Sequence, residues 1–484
     1  MNKTKAPSLF QSILPILVLV ALLAINVLLV YGDNALSGAN QFALLISGAV
    51  AAFVALYNGY KWEEILEGIT KSISSALPAI IILLLIGSLA GTWLLSGVVP
   101  AMIYYGLDIL NPTIFLFASC VISSIVSLAT GSSWSTVATV GIALLGIGKA
   151  LGIDDGIIAG AIISGAYFGD KMSPLSDTTN LAPAMAGTDL ITHIKYMTYT
   201  TIPSVSITLI IFLIIGFFYD AGEQVSQVDS LQVAISSKFN ITPWLFLVPI
   251  AVIVLIVKKI PAIPALLFGS VLGGVFAVIF QPDIIVSIGG ADSLILNSYK
   301  AIIDAMTTDV AFETENELVN ELLSSGGMSG MLNTIWLILC AMIFGGVMDR
   351  TGMLKRLTQS IIGLAKTDGS LIATTATSCM VFNVTASDQY LAIVVPGKMF
   401  AEEYKERGLH PKVLSRTLED SGTVTSALIP WNTCGAYHSG VLGIATGDYF
   451  MYCFFNLISP LMTVLFGFMN IKIARIKDKK EKNN

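Results

Sequence analysis

The sequence predicts an all-α polytopic membrane protein built as an inverted repeat of two halves. Each half carries a re-entrant hairpin and a discontinuous helix, for about ten spans plus two hairpins. Three observations predict it. Of 484 residues, 55% are hydrophobic and 12% charged, against about 25% charged in a soluble domain. Apolar runs recur from Ile13 to Ile471, and a bilayer core about 30 Å thick needs roughly 20 apolar residues per helix. Polar residues interrupt four otherwise hydrophobic segments, two in each half. This composition, with a net charge of −6, excludes a soluble enzyme, a disordered chain and a nucleic-acid binder. The number of runs excludes a single-span receptor.

In chain order, residues 1–12 read as a cytoplasmic N-terminus and 13–219 as the first transmembrane repeat. Residues 220–240 read as an external loop, 241–471 as the second repeat with a further external loop at 281–330, and 472–484 as a cytoplasmic tail. Spanning-length apolar runs cover 13–31, 42–57, 73–95, 202–219, 243–257, 264–280, 331–348 and 449–471. The first run follows Lys3 and Lys5 as a signal peptide would, but its length and the spans after it make it a retained helix. The segment 112–150 is broken at Thr130-Gly131-Ser132-Ser133 and 156–185 at Asp170 through Asp177. The segment 370–400 is broken at Asn383 through Asp388, and 413–440 from Asp420 through Thr425 and again at Pro430-Trp431-Asn432-Thr433. The five cysteines lie singly in apolar segments, which indicates neither a disulfide framework nor a metal cluster.

Lys and Arg concentrate in cytoplasmic loops. With the N-terminus inside and both 112–150 and 370–400 as hairpins, Lys61, Lys71, Lys258, Lys259, Arg350, Lys355, Arg356, Lys405, Arg407, Lys412 and Arg416 all fall inside. Lys149, Lys238 and Lys300 fall outside, and Lys171 lies at depth. A twelve-span arrangement is the alternative, because each hairpin arm is about 16 residues long. The hairpin, broken span and closing span occur twice, with the tip near Thr130 set against that near Thr385 and Asp170 against Asp420. Inverted repeats with discontinuous helices around a midplane site are the architecture of secondary transporters.

Irregular backbone at depth is tolerated only inside protein or beside water, so the breaks imply a cavity. They expose half-helix N-termini, which suit anions, and freed carbonyls, which suit hard cations. Ser132, Ser133, Ser173, Thr178, Thr423 and Thr433 add hydroxyls there, and Asn383 and Asn432 add amides. Each hydroxyl has a plain structural use as a helix cap. Asp170, Asp177, Asp388 and Asp420 are ionisable groups inside the membrane, functional candidates by default. Glu419 adjoins Asp420 but points about 100° away on a helix, so only one of the two need face the site. Lys171 has three readings: it neutralises Asp170, acts as a proton-linked switch, or meets an anionic substrate. His438 reads as a satisfied interior side chain. No arginine lies at membrane depth in this arrangement, which leaves helix termini, hydroxyls, amides or a bound cation to hold any organic acid.

The stretches Ala129-Thr-Gly-Ser-Ser-Trp-Ser-Thr136 and Gly165-Ala-Tyr-Phe-Gly-Asp-Lys-Met-Ser-Pro-Leu-Ser-Asp-Thr-Thr-Asn-Leu-Ala-Pro183 resemble the NhaC family of sodium/proton antiporters. They look closest to the branch that includes the malate/lactate antiporter. The resemblance implies the ion-transporter superfamily, two re-entrant hairpins and a homodimer in the plasma membrane. It carries the family motif onto Asp170, Lys171, Ser173, Asp177, Thr178 and Asn180. The expected function is sodium/proton exchange with no cofactor, Na+ and H+ binding alternately at the breaks. The alternative is Na+- and H+-coupled exchange of small carboxylates or amino acids. An intramembrane aspartyl protease is disfavoured because Tyr167 stands where a Gly-x-Gly-Asp motif needs glycine, and an ion channel fits paired hairpins poorly.

Overall fold

The computed structural model describes residues 5–31, 35, 37–109, 111–218, 221–290, 293–314, 317–362 and 365–476. Most of the basic tail expected at 472–484 lies outside them. In the first half, α1 (Leu9–Ile25) runs into a π-turn over Asn26–Val30 and is followed by α2 (Ala39–Tyr57), α3 (Trp62–Leu95) and α4 (Val98–Ile109). α3 starts before its apolar run because Glu63 and Glu64 favour a helix N-terminus and Glu64 accepts from the Lys61 amide at 2.9 Å. The first hairpin is α5 (Pro112–Thr130), α6 (Ser133–Thr136), a π-turn at Val137–Gly141, and α7 (Ile142–Ala150). The broken helix is α8 (Asp155–Met172) and α9 (Asp177–Ala186), and α10 (Leu190–Gly216) closes the half.

The second half opens with α11 (Ala221–Lys238), α12 (Leu247–Val257) and α13 (Ala262–Phe280). α14 (Pro282–Gly289), α15 (Leu294–Thr307), β1 (Val310–Ala311), α16 (Glu317–Leu322), β2 (Ser324–Ser325) and α17 (Gly327–Gly330) follow, with β1 and β2 antiparallel. The segments expected as loops at 220–240 and 281–330 are therefore largely helical. Their polar composition hid an apolar stripe: Leu231, Ile235 and Phe239 recur every fourth residue and are buried. Then come α18 (Leu332–Arg350), α19 (Met353–Ile362), the second hairpin α20 (Asp368–Thr385) and α21 (Gln389–Glu406), and α22 (Pro411–Leu418). A π-turn at Glu419–Thr423 and a 3-10 turn at Ser426–Leu428 lead to α23 (Thr433–Leu442), α24 (Thr446–Tyr449) and α25 (Phe454–Phe468). Among the described residues, six helices are long and apolar enough to cross a membrane, or eight if each of two bent pairs counts as one span. Large apolar side chains such as Phe42, Phe53, Ile125, Ile210, Phe217, Ile279 and Leu461 face outward, as lipid-facing surfaces require.

The two halves use the same punctuation at one constant spacing. Asn111 and Thr367, Ser132 and Asp388, Asp154 and His410, and Ser176 and Asn432 are helix N-caps, each pair 256 residues apart (388 less 132, for example). The left-handed residues Gly131 and Ser387, Gly152 and Gly408, and Gly187 and Gly443 keep that spacing. Hydrogen bonds recur with it: Ser127 Oγ donates to the Ala166 carbonyl at 2.6 Å and Asn383 Nδ2 to the Gly422 carbonyl at 2.7 Å. Packing recurs as well. α10 lies on α5 as α25 lies on α20, while α2 packs on α18 and α13 on α3. At this register Asp170 is matched by Ser426 and Asp420 by Ser164, which corrects the expected Asp170–Asp420 equivalence. The break assigned to Asp420–Thr425 is also displaced. There the helix widens into a π-turn, and the chain leaves helix only near Pro430, because proline drives the preceding residue into extended conformation.

Small residues let the hairpin and broken helix lie backbone to backbone. Gly165 faces the Cys120 carbonyl, and a Cβ on Gly169 would meet the Ser127 Cβ at 2.6 Å. Without a hydrophobic drive between helices in lipid, such close van der Waals contact holds them together. Gly165→Ala should cost about 1–3 kcal/mol through overpacking, read as a lower thermal midpoint of the purified protein. Gly447→Ala, where an added methyl meets nothing within 4 Å, should leave the midpoint in place. Equal midpoints for both variants would refute the close-packing account.

Candidate functional site

Each hairpin tip is built by a left-handed residue followed by a cap. α5 ends on Gly131, at a φ of 72°, and Ser132 then starts α6 by accepting from the Ser135 amide at 3.1 Å. In the second hairpin Ser387, at a φ of 59°, precedes Asp388, whose carboxylate accepts from the Leu391 amide at 2.9 Å. Each break is likewise a proline and then a cap: Pro174 with Ser176, and Pro430 with Asn432. The first turns of α6, α9, α21 and α23 meet at one cavity of about 760 Å3, which also takes in Asp170 and the Ser75–Pro78 stretch of α3. Both halves therefore contribute to a single space.

Of the residues singled out from sequence, Ser132, Asp170, Asp177, Thr178, Asp388 and Thr433 line this cavity. Asp170 is buried, and its Oδ2 accepts from the Ser133 amide at 3.1 Å and the Ser133 hydroxyl at 2.7 Å. The hairpin tip thus holds the carboxylate of the neighbouring helix by its N-terminal turn. Asp177, the first residue of α9, is exposed to the cavity. The others brace the backbone. Ser173 Oγ donates to the Leu128 carbonyl at 2.8 Å, and Asn180 Nδ2 donates to the Pro174 and Ser176 carbonyls at 3.0 and 2.7 Å. Asn432 Nδ2 donates to the Asn383 carbonyl and to Asn383 Oδ1, each at 3.1 Å, locking the second tip to the second break.

Lys171 does not neutralise Asp170. Its ammonium pairs with Asp420 across the two halves, donates to Ser459 Oγ at 3.0 Å and lies 5.5 Å from the Phe455 ring centre. The second Asp420 oxygen accepts from Thr200 Oγ1 at 2.8 Å. Asp420 is fully buried and lies off the cavity lining. Glu419, expected to turn away if Asp420 turned in, is equally buried and accepts from Thr178 Oγ1 at 3.0 Å. Residues 413–428 are buried on every face, so side chains about 100° apart both lie in the interior. Arg416, assigned by charge to a cytoplasmic loop, is fully buried in α22 with its guanidinium 4.7 Å from the Tyr196 ring centre. No periodicity marked it, since its contacts come from α10 and α25. His438 Nε2 bonds the Tyr167 hydroxyl at 3.2 Å.

The sequence profile of the Na+/H+ antiporter family matches residues 165–471. The chain is similar to the Na+/H+ antiporter NhaC of Alkalihalophilus pseudofirmus, 38% identical over 437 residues that make up 89% of this chain and 90% of that protein. It is similar to the malate-2H+/Na+-lactate antiporter of Bacillus subtilis, 35% identical over 97% of this chain and 96% of that protein. A third relative, the arginine/ornithine antiporter ArcD of Halobacterium salinarum, is 34% identical over 99% of this chain and 95% of its own length.

Proposed function

The chain belongs to the Na+/H+ antiporter family and is of the NhaC type, and from that premise we propose that Asp170 carries Na+ and H+ in alternation. An antiporter must hold one cation or the other and never travel empty. A carboxylate meets that need without a separate proton path, because it must be ionised to hold Na+ and takes a proton when Na+ leaves. The supporting observation is the geometry of Asp170: one oxygen fixed by the Ser133 amide and hydroxyl, the carboxyl itself on the wall of the shared cavity. Ser132, Thr178 and Asp177 supply further oxygens there, with Asp388 and Thr433 facing them from the second half. Linkage is reciprocal, so acid must weaken Na+ binding wherever Na+ releases a proton. Apparent Na+ affinity of purified protein should fall by about tenfold per pH unit on the acid side of the titration, at one proton per ion. An affinity unchanged between pH 6 and pH 9 would overturn the competition.

The repeated caps support the inverted repeat of ten spans and two hairpins that we propose, and the distribution of Lys and Arg favours both termini in the cytoplasm of a cell-membrane protein. In that orientation an impermeant thiol reagent should label cysteines placed in 293–314 from outside and in 402–412 from inside. Labelling of both from one face would exclude it.

A second reading, exchange of small carboxylates or amino acids coupled to Na+ and H+, is favoured by the cavity's size. Its volume of about 760 Å3 falls within the roughly 300–1,000 Å3 of small-molecule sites, and four helix N-termini border it. Three aspartates and a single lysine, Lys259, line it, so an organic acid would enter protonated or with its cation. Malate or lactate changing Na+ flux in proteoliposomes decides for this reading, and flux indifferent to both decides against it.

A further inference from the structure

We propose that Glu419 forms a second Na+ position behind the cavity wall, its oxygen shell supplied by Thr178 and Thr423. Glu419 stands where the π-turn of the second half packs against α9 of the first, and it is fully buried. One carboxylate oxygen accepts from Thr178 Oγ1 at 3.0 Å. The other, Oε2, has no hydrogen-bond partner among the described residues, and neither has the buried hydroxyl of Thr423 one turn further along. Neither neighbouring cation donates a hydrogen bond to Oε2. Lys171 is paired with Asp420, and Arg416 turns its guanidinium onto Tyr196 and Phe466. A buried carboxylate with an unpaired oxygen takes either a proton or a cation, and the threonine hydroxyls beside this one suit a hard monovalent cation. Thr178 provides the way in. It lines the cavity, its hydroxyl lies 3.2 Å from Ser176 Oγ, and it also touches Glu419. An ion that leaves the Asp170 cavity inward therefore meets Thr178 and then Glu419.

This position rests on the family's Na+ exchange and does not require Asp170 to be the outer carrier. Equilibrium binding of radioactive Na+ to the purified full-length protein in lipid nanodiscs tests it. Wild type should bind two ions per chain and Glu419→Gln one. Thr423→Val keeps the carboxylate and removes one oxygen, so it should weaken the second ion alone, by about tenfold. Should Glu419→Gln fail to fold, Thr423→Val still gives the answer. One ion in wild type, or isotherms of both variants that superimpose on wild type, overturns the position. Two ions retained in Asp170→Asn would instead refute the outer site and leave Glu419 standing.

Discussion

Asp170→Asn removes the protons released when NaCl is added to purified protein in weak buffer, and it ends Na+-driven proton movement in proteoliposomes. The amide matches the carboxylate in shape and still accepts from Ser133, so the helix–hairpin contact survives while the exchangeable charge is lost. A hydrogen bond or ligand contact to an ionised group contributes about 1.5–3 kcal/mol, so Na+ affinity should fall by about 100-fold. Asp177→Asn, at the exposed start of α9, should raise the Na+ requirement far less, since water already screens that carboxylate. Proton release of wild-type size from a folded Asp170→Asn protein would remove Asp170 from the mechanism.

Breaking the Lys171–Asp420 pair should have the largest effect on stability. Both side chains are fully buried, so Asp420→Leu leaves an ammonium in the interior without its counter-charge, at a cost of about 3–5 kcal/mol. Lys171→Met strands the carboxylate in the same way. Replacing both, as Lys171→Met with Asp420→Leu, removes both charges together, and such swaps are often neutral or stabilising. Thr200 then keeps its bond to the Met197 carbonyl at 3.2 Å. Thermal midpoints of the four proteins form a double-mutant cycle. The single variants should melt well below wild type and the double variant near it. Additive losses would mean that the two charges do not depend on each other.

The site was partly legible in the sequence because its breaks are written in local chemistry. Gly131, Pro174 and Pro430 mark helix ends here, and Ser132, Ser176, Asp388 and Asn432 start new helices. Reading those signals found the residues that line the cavity from both halves. Arg416 was misplaced for a physical reason. A packed helix end looks, residue by residue, like a basic loop. The equivalence of Asp170 with Asp420 failed because like charge was matched, whereas the halves share caps and left-handed turns.

By itself the sequence determined the solvent, the long apolar helices and the punctuation between them: too few charges for water, apolar runs of membrane length, and polar breaks that interrupt them. Those are local properties, set by each segment's transfer into lipid and by backbone hydrogen bonds that close within a few residues. Only the tertiary structure decided which charges meet. Lys171 and Asp170 are adjacent in sequence, yet successive helix residues point about 100° apart, so Asp170 reaches the cavity while Lys171 crosses to Asp420 in the other half. Partner choice among buried charges depends on how two distant helices approach, and that is settled when both halves pack and water is excluded between them.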